Sequence, residues 1–154
     1  MIVDREPLRD KEQTATKIKS LVNNFYGDLE HVLVERSGSR VPVTQLPLSD
    51  YFDLVKNIPY RRDPPPVEVV ARPHHIFKYA KLGMDCKKKA TAIAAYLKAR
   101  GIPFRFIGSS NRPDKKIHHI FPQAKIDSEY VNVDATYPDY KLFQPKTVTA
   151  WEVL

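Results

Sequence analysis

The amino-acid sequence predicts an α+β fold, and three patterns along the chain support this prediction. Between 86 and 97 the apolar residues recur every three or four positions, which is typical of an amphipathic helix. The stretches 117–126 and 130–136 alternate apolar and polar residues around a short polar segment, which indicates a β-hairpin. A longer apolar stripe between 11 and 35 predicts an N-terminal helix. We therefore expect the central helix to pack on an antiparallel sheet, with the N-terminal helix as an added layer.

The N-terminal part of the chain is predicted to be helical. A long helix is expected over 11–35, softly interrupted by Gly27 and ended by the Ser-Gly-Ser run at 37–39. A proline-containing loop should follow. After this loop, Ser49 or Asp50 is expected to cap a second, short helix, because both residue types accept hydrogen bonds from the free N–H groups of a helix start.

Prolines mark the middle of the chain. Pro59 and the Asp-Pro-Pro-Pro run at 63–66 predict a stiff extended connector, which is not a domain boundary because a short core follows it. Beyond the connector we expect a short helix over 74–81, a strand at 103–107 and a polar loop over 108–116 that borders a cleft. We therefore predict one domain over 1–154, composed of a helical extension, a core and an irregular tail at 1–57, 58–140 and 141–154.

Cys86 is the one cysteine of the chain and stands at the start of the central helix. Asp85 is expected to be its N-cap, and Gly101 followed by Pro103 should end the helix. The free N–H groups and the positive dipole end of the first turn stabilise a thiolate, and the three lysines at 87–89 would help hold its negative charge. Alternatively, Cys86 continues the apolar stripe and is a small buried hydrophobic residue.

A nucleophilic cysteine needs a base, and the base needs a group that orients it. The predicted hairpin can supply both, because it places the start of its first strand beside the end of its second. His119 and Asp134 occupy these two positions, so their side chains are expected to be in contact range. His118 and His119 cannot both face Cys86 from a strand, because successive side chains point to opposite faces. A surface pair of histidines is the alternative.

Together these residues resemble the transglutaminase-like superfamily of papain-like cysteine enzymes, over about residues 58–140. The resemblance implies a papain/transglutaminase-like core in which Cys86 is the nucleophile, His119 the base and Asp134 its orienting group; the family spacing selects His119 over His118. An Ala-Arg-Pro run also resembles the segment before the cysteine in small bacterial and phage members. The matching pieces are Ala-Arg-Pro at 71–73, Asp-Cys at 85–86, Gly-Ile-Pro at 101–103, His-Ile-Phe at 119–121 and Tyr-Val-Asn-Val-Asp-Ala-Thr at 130–136.

The chain departs from the family pattern around the cysteine. Met84 separates Gly83 from the Asp-Cys pair, and lysines at 87–89 stand where acidic residues are common. Tyr130 replaces the usual tryptophan, and Ala135 replaces the usual proline. The backbone N–H of Cys86 is one expected donor to an oxyanion. The second donor stays open among Tyr79, His75 and Tyr60.

The resemblance implies a cysteine-dependent acyl-transfer enzyme that acts on amide bonds of a protein or peptide substrate. Small members without accessory domains more often resemble proteases or amidases, so hydrolysis is favoured over amine transfer by a transglutaminase. The alternative belongs to another class: a non-catalytic transglutaminase-like domain that serves as a structural or peptide-binding component of a larger assembly, such as a virus particle. The departures around Cys86 keep this alternative open.

Composition and charge limit which partners and which cellular compartment we expect for this protein. The net charge of +7 favours an acidic partner such as nucleic acid or an anionic surface, but no nucleic-acid-binding motif accompanies it. No metal-ligand spacing links Cys86 to the histidine pairs at 74–75 and 118–119, so we expect no metal and no cofactor. No apolar run is long enough to span a membrane, and the first residues begin no signal peptide. A lone cysteine suits a reducing compartment, so we expect the cytoplasm or a virus particle.

Overall fold

The structure is a computed structural model that describes the backbone of residues 3–4 and the whole of residues 11–62 and 70–154. It combines four α-helices with β-strands, which confirms the predicted α+β class. The elements in chain order are β1 (Val3–Asp4), α1 (Lys11–Phe25), β2 (Leu33–Arg36), β3 (Ser39–Pro42), α2 (Leu48–Lys56), β4 (Val70–Ala71), α3 (Pro73–Lys78), α4 (Cys86–Ala99), β5 (Phe104–Ser110), β6 (His119–Ile126), β7 (Glu129–Asn132) and β8 (Ala150–Val153).

The central helix α4 is buried on almost every side. It packs against α1, α2, α3 and β6, and a helix enclosed in this way needs apolar residues all round. Its alanines let the neighbours approach closely, because a methyl group keeps the helix narrow. The buried apolar residues of α4 are Ala90, Ala92, Ile93, Ala94, Ala95, Tyr96 and Leu97. No helix within residues 11–62 and 70–154 is both long and apolar enough to cross a membrane.

Both predicted ends of α4 are confirmed. The Asp85 carboxylate accepts a hydrogen bond from the Lys88 backbone N–H at 3.1 Å, as an N-cap does. At the other end Gly101 has a φ of 69°, and the N–H of Ile102 donates to the Leu97 carbonyl at 2.9 Å. This left-handed glycine turn reverses the chain and leads it directly into β5.

The four-stranded sheet is antiparallel in the order β7-β6-β5-β8. The strand predicted at 103–107 extends to Ser110, so the predicted polar loop begins at Asn111. The prediction of an irregular tail is wrong at its end. Ala150–Val153 form β8, which pairs with the free edge of β5. The second hairpin strand is shorter than predicted, since β7 ends at Asn132. The residues at 133–136 follow the strand and are buried.

The predicted helix over 11–35 is wrong beyond Phe25. The chain continues as a 3-10 helix over Tyr26–His31, where Gly27 weakens any continuation of the α-helix. Strands β2 and β3 follow as a hairpin. Ser37 and Gly38, predicted to end the helix, form its turn with φ values of 52° and 81°. Two consecutive residues of positive φ match the twist of a two-residue hairpin, which explains why the chain reverses there.

The short predicted helices are present with shifted ends. Helix α2 begins after Pro47 without a side-chain cap, so neither Ser49 nor Asp50 is the cap. The predicted helix over 74–81 consists of α3 and a 3-10 turn over Ala80–Leu82. Beyond α2 the chain passes alongside the residues that precede α4. The predicted proline connector at 63–66 lies outside the described residues.

Candidate active site

Cys86 is the first residue of α4 and lines a cavity of about 550 Å³. It is partly buried and packs against the apolar cluster formed by α1, α4 and the sheet. Cys86 therefore continues the apolar stripe of its helix and also reaches the cavity. His119 lines the same cavity from the start of β6.

His119 lies between Cys86 and Asp134. Its Nε2 hydrogen-bonds the Asp134 Oδ2 at 2.7 Å, which leaves Nδ1 as the ring nitrogen that can face the thiol. The ring of Phe121 packs against it with centroids 5.6 Å apart. Burial lowers the pKa of His119, but hydrogen bonding with Asp134 and with Cys86 outweighs burial and raises it to about 9. The imidazolium form is therefore favoured at neutral pH.

Asp134 is 4% exposed and each of its oxygens accepts hydrogen bonds. Oδ1 accepts from the Thr136 backbone N–H at 3.1 Å and from its hydroxyl at 2.5 Å. Oδ2 accepts from His119 and lies 2.6 Å from the Lys146 Nζ. Burial raises the pKa of Asp134, but His119 and then Lys146 outweigh it and lower the pKa to about 2. Asp134 therefore remains a carboxylate throughout the neutral range.

The contact between His119 and Asp134 was predicted, but its strand geometry differs. The β6–β7 register pairs Gln123 with Asn132, and Asp134 lies two residues beyond the end of β7. Asp134 therefore reaches His119 diagonally from the segment that leaves the sheet. The two hydrogen bonds from Thr136 hold the carboxylate in this position.

The His119–Asp134 pair should make folding stability depend on pH. The pKa of His119 is raised from 6.5 to about 9, so its contribution is complete below about pH 6.5 and is lost as pH rises through 9. The pKa of Asp134 is lowered from 3.8 to about 2, so its contribution is complete above about pH 4 and is lost as pH falls through 2.

We expect the wild type to lose up to about 3 kcal/mol of stability between pH 6.5 and 9.5 that the Asp134→Asn variant does not lose. Denaturant unfolding of both proteins across this range measures the difference, and groups common to both proteins cancel. The same decline in both proteins would contradict the assigned pairing.

The lysines at 87–89 have separate roles. Lys87 lines the cavity and forms an ion pair with Asp85. Lys89 is 1% exposed, and its Nζ donates to the carbonyls of Lys56, Ile58 and Thr136 at 3.2, 2.6 and 2.7 Å. Burial lowers the pKa of Lys89 to about 8, against an opposing effect of Asp134. The sequence predicted that all three lysines help to stabilise negative charge on the sulfur. This prediction is wrong for Lys89, whose ammonium group donates to three carbonyls instead.

Of the three open candidates for a second oxyanion donor, only Tyr60 lines the cavity with Cys86. The rings of Tyr79 and His75 contact each other at an angle of 42°, with centroids 4.6 Å apart, and neither lines this cavity. Burial raises the pKa of Tyr60, and hydrogen bonding with Tyr137 and the nearby Cys86 raise it further. The phenol of Tyr60 therefore stays protonated and can donate.

Tyr60 is held beside Cys86 by the backbone. The N–H of Met84 donates to the Pro59 carbonyl at 2.8 Å, and the N–H of Arg61 donates to the Met84 carbonyl at 3.1 Å. Gly83 permits this close approach, because its φ is 85° and an added Cβ would lie 2.8 Å from the Arg61 Cβ. The displaced glycine of the sequence motif thus has a local structural reason.

His118 precedes β6, so strand alternation does not direct its side chain. Its ring lines the same cavity as His119, and its Nε2 lies 2.8 Å from the Asn111 Oδ1. Burial lowers the pKa of His118, and Arg112 acts in the same direction. Among the described residues, no group of three or more His, Cys, Asp or Glu side chains is arranged to hold a metal ion.

Sequence reasoning missed Lys146. It lies in the segment between β7 and β8, where its Nζ contacts Asp134 and sits 4.3 Å and 4.8 Å from the ring centroids of Tyr140 and Phe121. Asn132 fixes this segment, because its carbonyl accepts from the Phe143 N–H at 3.1 Å and its side chain donates to the Gln144 carbonyl at 2.9 Å. No spacing or motif marked Lys146, and only the need of a buried carboxylate for a cation could have suggested it.

Comparison with known proteins identifies the family of this chain. The model of the transglutaminase-like superfamily matches residues 47–135, which include Cys86, His119 and Asp134. A solved structure from Cytophaga hutchinsonii, a candidate cysteine protease, aligns with 91% of this chain at 13% identity and a TM-score of 0.44. This chain spans about half of that protein, since 50% of it is covered. No curated protein sequence gives a significant match. Because the family match spans more than half of its residues, the chain belongs to the transglutaminase-like superfamily.

Proposed function

We propose that this protein is a cysteine-dependent acyl-transfer enzyme that hydrolyses amide bonds, as a protease or amidase. Cys86 is the nucleophile, His119 the general base and acid, and Asp134 the residue that orients His119. The observation that carries the proposal is the 2.7 Å hydrogen bond between His119 and a buried Asp134, with the His119 ring in the same cavity as Cys86. A base oriented by a third group beside a thiol is the arrangement that cysteine catalysis needs.

The proposed reaction proceeds through a covalent acyl-enzyme. In the resting site Nδ1 of His119 already holds the proton of the Cys86 thiol, because the raised pKa of His119 favours the imidazolium, and the thiolate sulfur attacks the carbonyl carbon of the substrate. The resulting oxyanion accepts hydrogen bonds from the Cys86 backbone N–H and from Tyr60. His119 gives its proton to the leaving amine, which breaks the C–N bond and leaves a thioester. Water then attacks the thioester with His119 as base, which releases the acid and restores the pair of Cys86 thiolate and His119 imidazolium.

Asp134 supports both half-reactions through its charge and position. It stays ionised because its pKa is about 2, and its bond to Nε2 keeps Nδ1 directed toward the sulfur. The imidazolium that forms in each step is stabilised by this carboxylate. Lys146 shares the same oxygen and so limits how strongly Asp134 attracts the histidine proton.

Water is the favoured acyl acceptor because of the charge around Cys86. A transglutaminase reaction most often uses a lysine side chain as acceptor, and a lysine arrives as a cation. Two cationic side chains of the cavity, Arg62 and Arg112, would repel it. Water experiences no such repulsion, so hydrolysis fits this cavity better than amine transfer.

Trapping by a peptidyl electrophile tests the proposal without a known substrate. We expect a neutral peptidyl vinyl sulfone to add to Cys86 of the folded protein, with mass spectrometry of the digest locating the adduct. Cys86→Ala is the control for labelling elsewhere. Absence of an adduct in the folded wild type would contradict the proposal that the protein is an enzyme. It would favour the alternative of a structural or peptide-binding domain.

Asp134→Asn is expected to lower the trapping rate by about 10- to 100-fold at pH 7, because an amide cannot stabilise the imidazolium that accompanies the thiolate. Lys146→Met is the matched comparison, since it removes the other partner of the same oxygen and leaves His119–Asp134 in place. We expect Lys146→Met to keep most of the rate and to move the upper limit of the pH–rate profile to higher pH. Equal rates in the wild type and Asp134→Asn would contradict the role of Asp134.

A further inference from the structure

The cavity around Cys86 and His119 carries an excess of positive charge. Arg62, Lys87, Arg112 and Lys146 line it, whereas Asp85 is the only acidic residue among its described lining residues. A cavity lined by one sign of charge concentrates ligands of the opposite sign. The positive charge of this cavity therefore indicates that its substrate is negatively charged.

The two nearby carboxylates are already engaged. Asp85 is 1% exposed, caps α4 through the Lys88 N–H and forms an ion pair with Lys87. Asp134 is bound by His119 and Lys146. Lys87 and Lys146 are thus neutralised within the protein. Arg62 and Arg112 have no acidic partner among residues 11–62 and 70–154.

Arg112 is the better defined of these two arginines. Its backbone N–H donates to the Ser110 Oγ at 3.1 Å, and its carbonyl accepts from the Thr149 hydroxyl at 2.6 Å. The backbone of the loop is therefore fixed, while the guanidinium remains available to a ligand. Arg112 lies close enough to His118 to lower the pKa of that histidine, which places it on the His119 side of the cavity.

Arg62 belongs to the other side of the cavity. It follows the segment that pairs with Met84, just before Cys86. The guanidinium groups of Arg62 and Arg112, which have no acidic partner within 11–62 and 70–154, therefore flank the reacting pair. Guanidinium groups bind carboxylates through two parallel hydrogen bonds, which gives both affinity and orientation.

We propose that the substrate of this site is an acidic peptide, with carboxylate side chains or a terminal carboxylate next to the bond that Cys86 attacks. This inference rests on the proposed function and names its substrate class. Arg112 binds a carboxylate beside the scissile bond, and Arg62 strengthens the attraction from the opposite wall. Nucleic acid carries negative charge too, but its phosphodiester backbone offers no carbonyl carbon to a thiol.

The test is a matched series of peptidyl vinyl sulfones with the same reactive group and Glu, Gln or Lys at the adjacent position. The second-order rate constant of Cys86 modification is measured at low and at physiological salt. We expect the order Glu, Gln, Lys, with the Glu probe at least about 10-fold faster than the Lys probe at low salt. The ratio should shrink at higher salt, because ions screen the attraction.

Arg112→Glu is expected to lower the ratio of the rate with the Glu probe to the rate with the Gln probe by about 10-fold. The milder Arg112→Gln should lower the same ratio by about 3-fold. Arg40→Glu is the control, because Arg40 is exposed on β3, does not line the cavity and gives the same change of net charge. It should leave the ratio unchanged. An equal effect of Arg40→Glu and Arg112→Glu would overturn the local role of Arg112.

Equal rates with all three probes, alongside ready labelling of Cys86, would overturn the acidic-substrate inference and leave the enzyme standing. Failure of every probe to label Cys86 would overturn both the acidic-substrate inference and the proposed enzymatic function. Protection of Cys86 by an oligonucleotide, without protection by a glutamate-rich peptide, would overturn the inference in favour of a nucleic-acid ligand.

Discussion

Cys86→Ser is expected to lower acyl-transfer turnover by at least about 10³-fold while the protein remains folded. The replacement is nearly isosteric at a partly buried position, so packing should change little. A serine hydroxyl is far less acidic than a thiol, and the imidazole of His119 is poorly suited to ionise it. Turnover of an activated peptide ester, measured with the thermal unfolding midpoint, separates chemistry from folding.

His119→Gln is the comparison for this variant, since it removes the base and keeps Cys86. We expect its loss of turnover to be similar, and the double variant to be little worse than either single one, because the two residues act as a unit. Turnover by Cys86→Ser close to that of the wild type would mean that the thiol takes no part in the reaction.

Lys89→Met is expected to destabilise the protein by about 3 kcal/mol, which lowers the unfolding midpoint by roughly 6–12 °C. The substitution keeps the length of the side chain but removes the donor that three carbonyls share. Buried carbonyls without a donor cost free energy, and burial leaves no room for water to replace the ammonium group. The lysine joins the end of α2, the segment before Tyr60 and the segment after Asp134.

Lys19→Met is the matched control for this prediction, because Lys19 is exposed on α1. We expect it to change stability by less than about 0.5 kcal/mol. Similar unfolding midpoints for the two variants would show that the carbonyl cluster contributes little. A second readout follows from the position of Thr136: trapping at Cys86 should also slow in Lys89→Met at temperatures where the protein is folded.

The parts of the fold that the sequence predicted correctly are those whose signals are local. Helix α4 has an apolar period, a capping aspartate and a terminal glycine within one short stretch, so Asp85 and Gly101 could be assigned their roles. The hairpin predicted that His119 and Asp134 lie close together, because a tight turn brings the two ends of its strands near each other, although Asp134 makes the contact from beyond β7. These features need no knowledge of the rest of the chain.

The features that were missed depend on distant partners. By spacing, Val32 and Leu33 continue the apolar stripe of a helix. They are extended instead, because the turn at Ser37 and Gly38 brings β3 back to pair with this part of the chain. Strand β8 forms because β5 has a free edge, about 40 residues earlier in the chain. Lys146 and Lys89 resemble ordinary surface lysines in sequence, and their burial follows from carbonyls and a carboxylate that converge in three dimensions.

The pH dependence of Cys86 alkylation tests the central claim most directly, namely that His119 activates this thiol. At pH 6 an ordinary cysteine is almost entirely protonated and reacts slowly with iodoacetamide. We predict rapid alkylation of the folded wild type at pH 6 and a rate at least about 10-fold lower in His119→Ala. Mass spectrometry of the Cys86 peptide at timed intervals gives both rates. Labelling only above pH 8, or only after denaturation, would contradict the account and identify Cys86 as a packing residue.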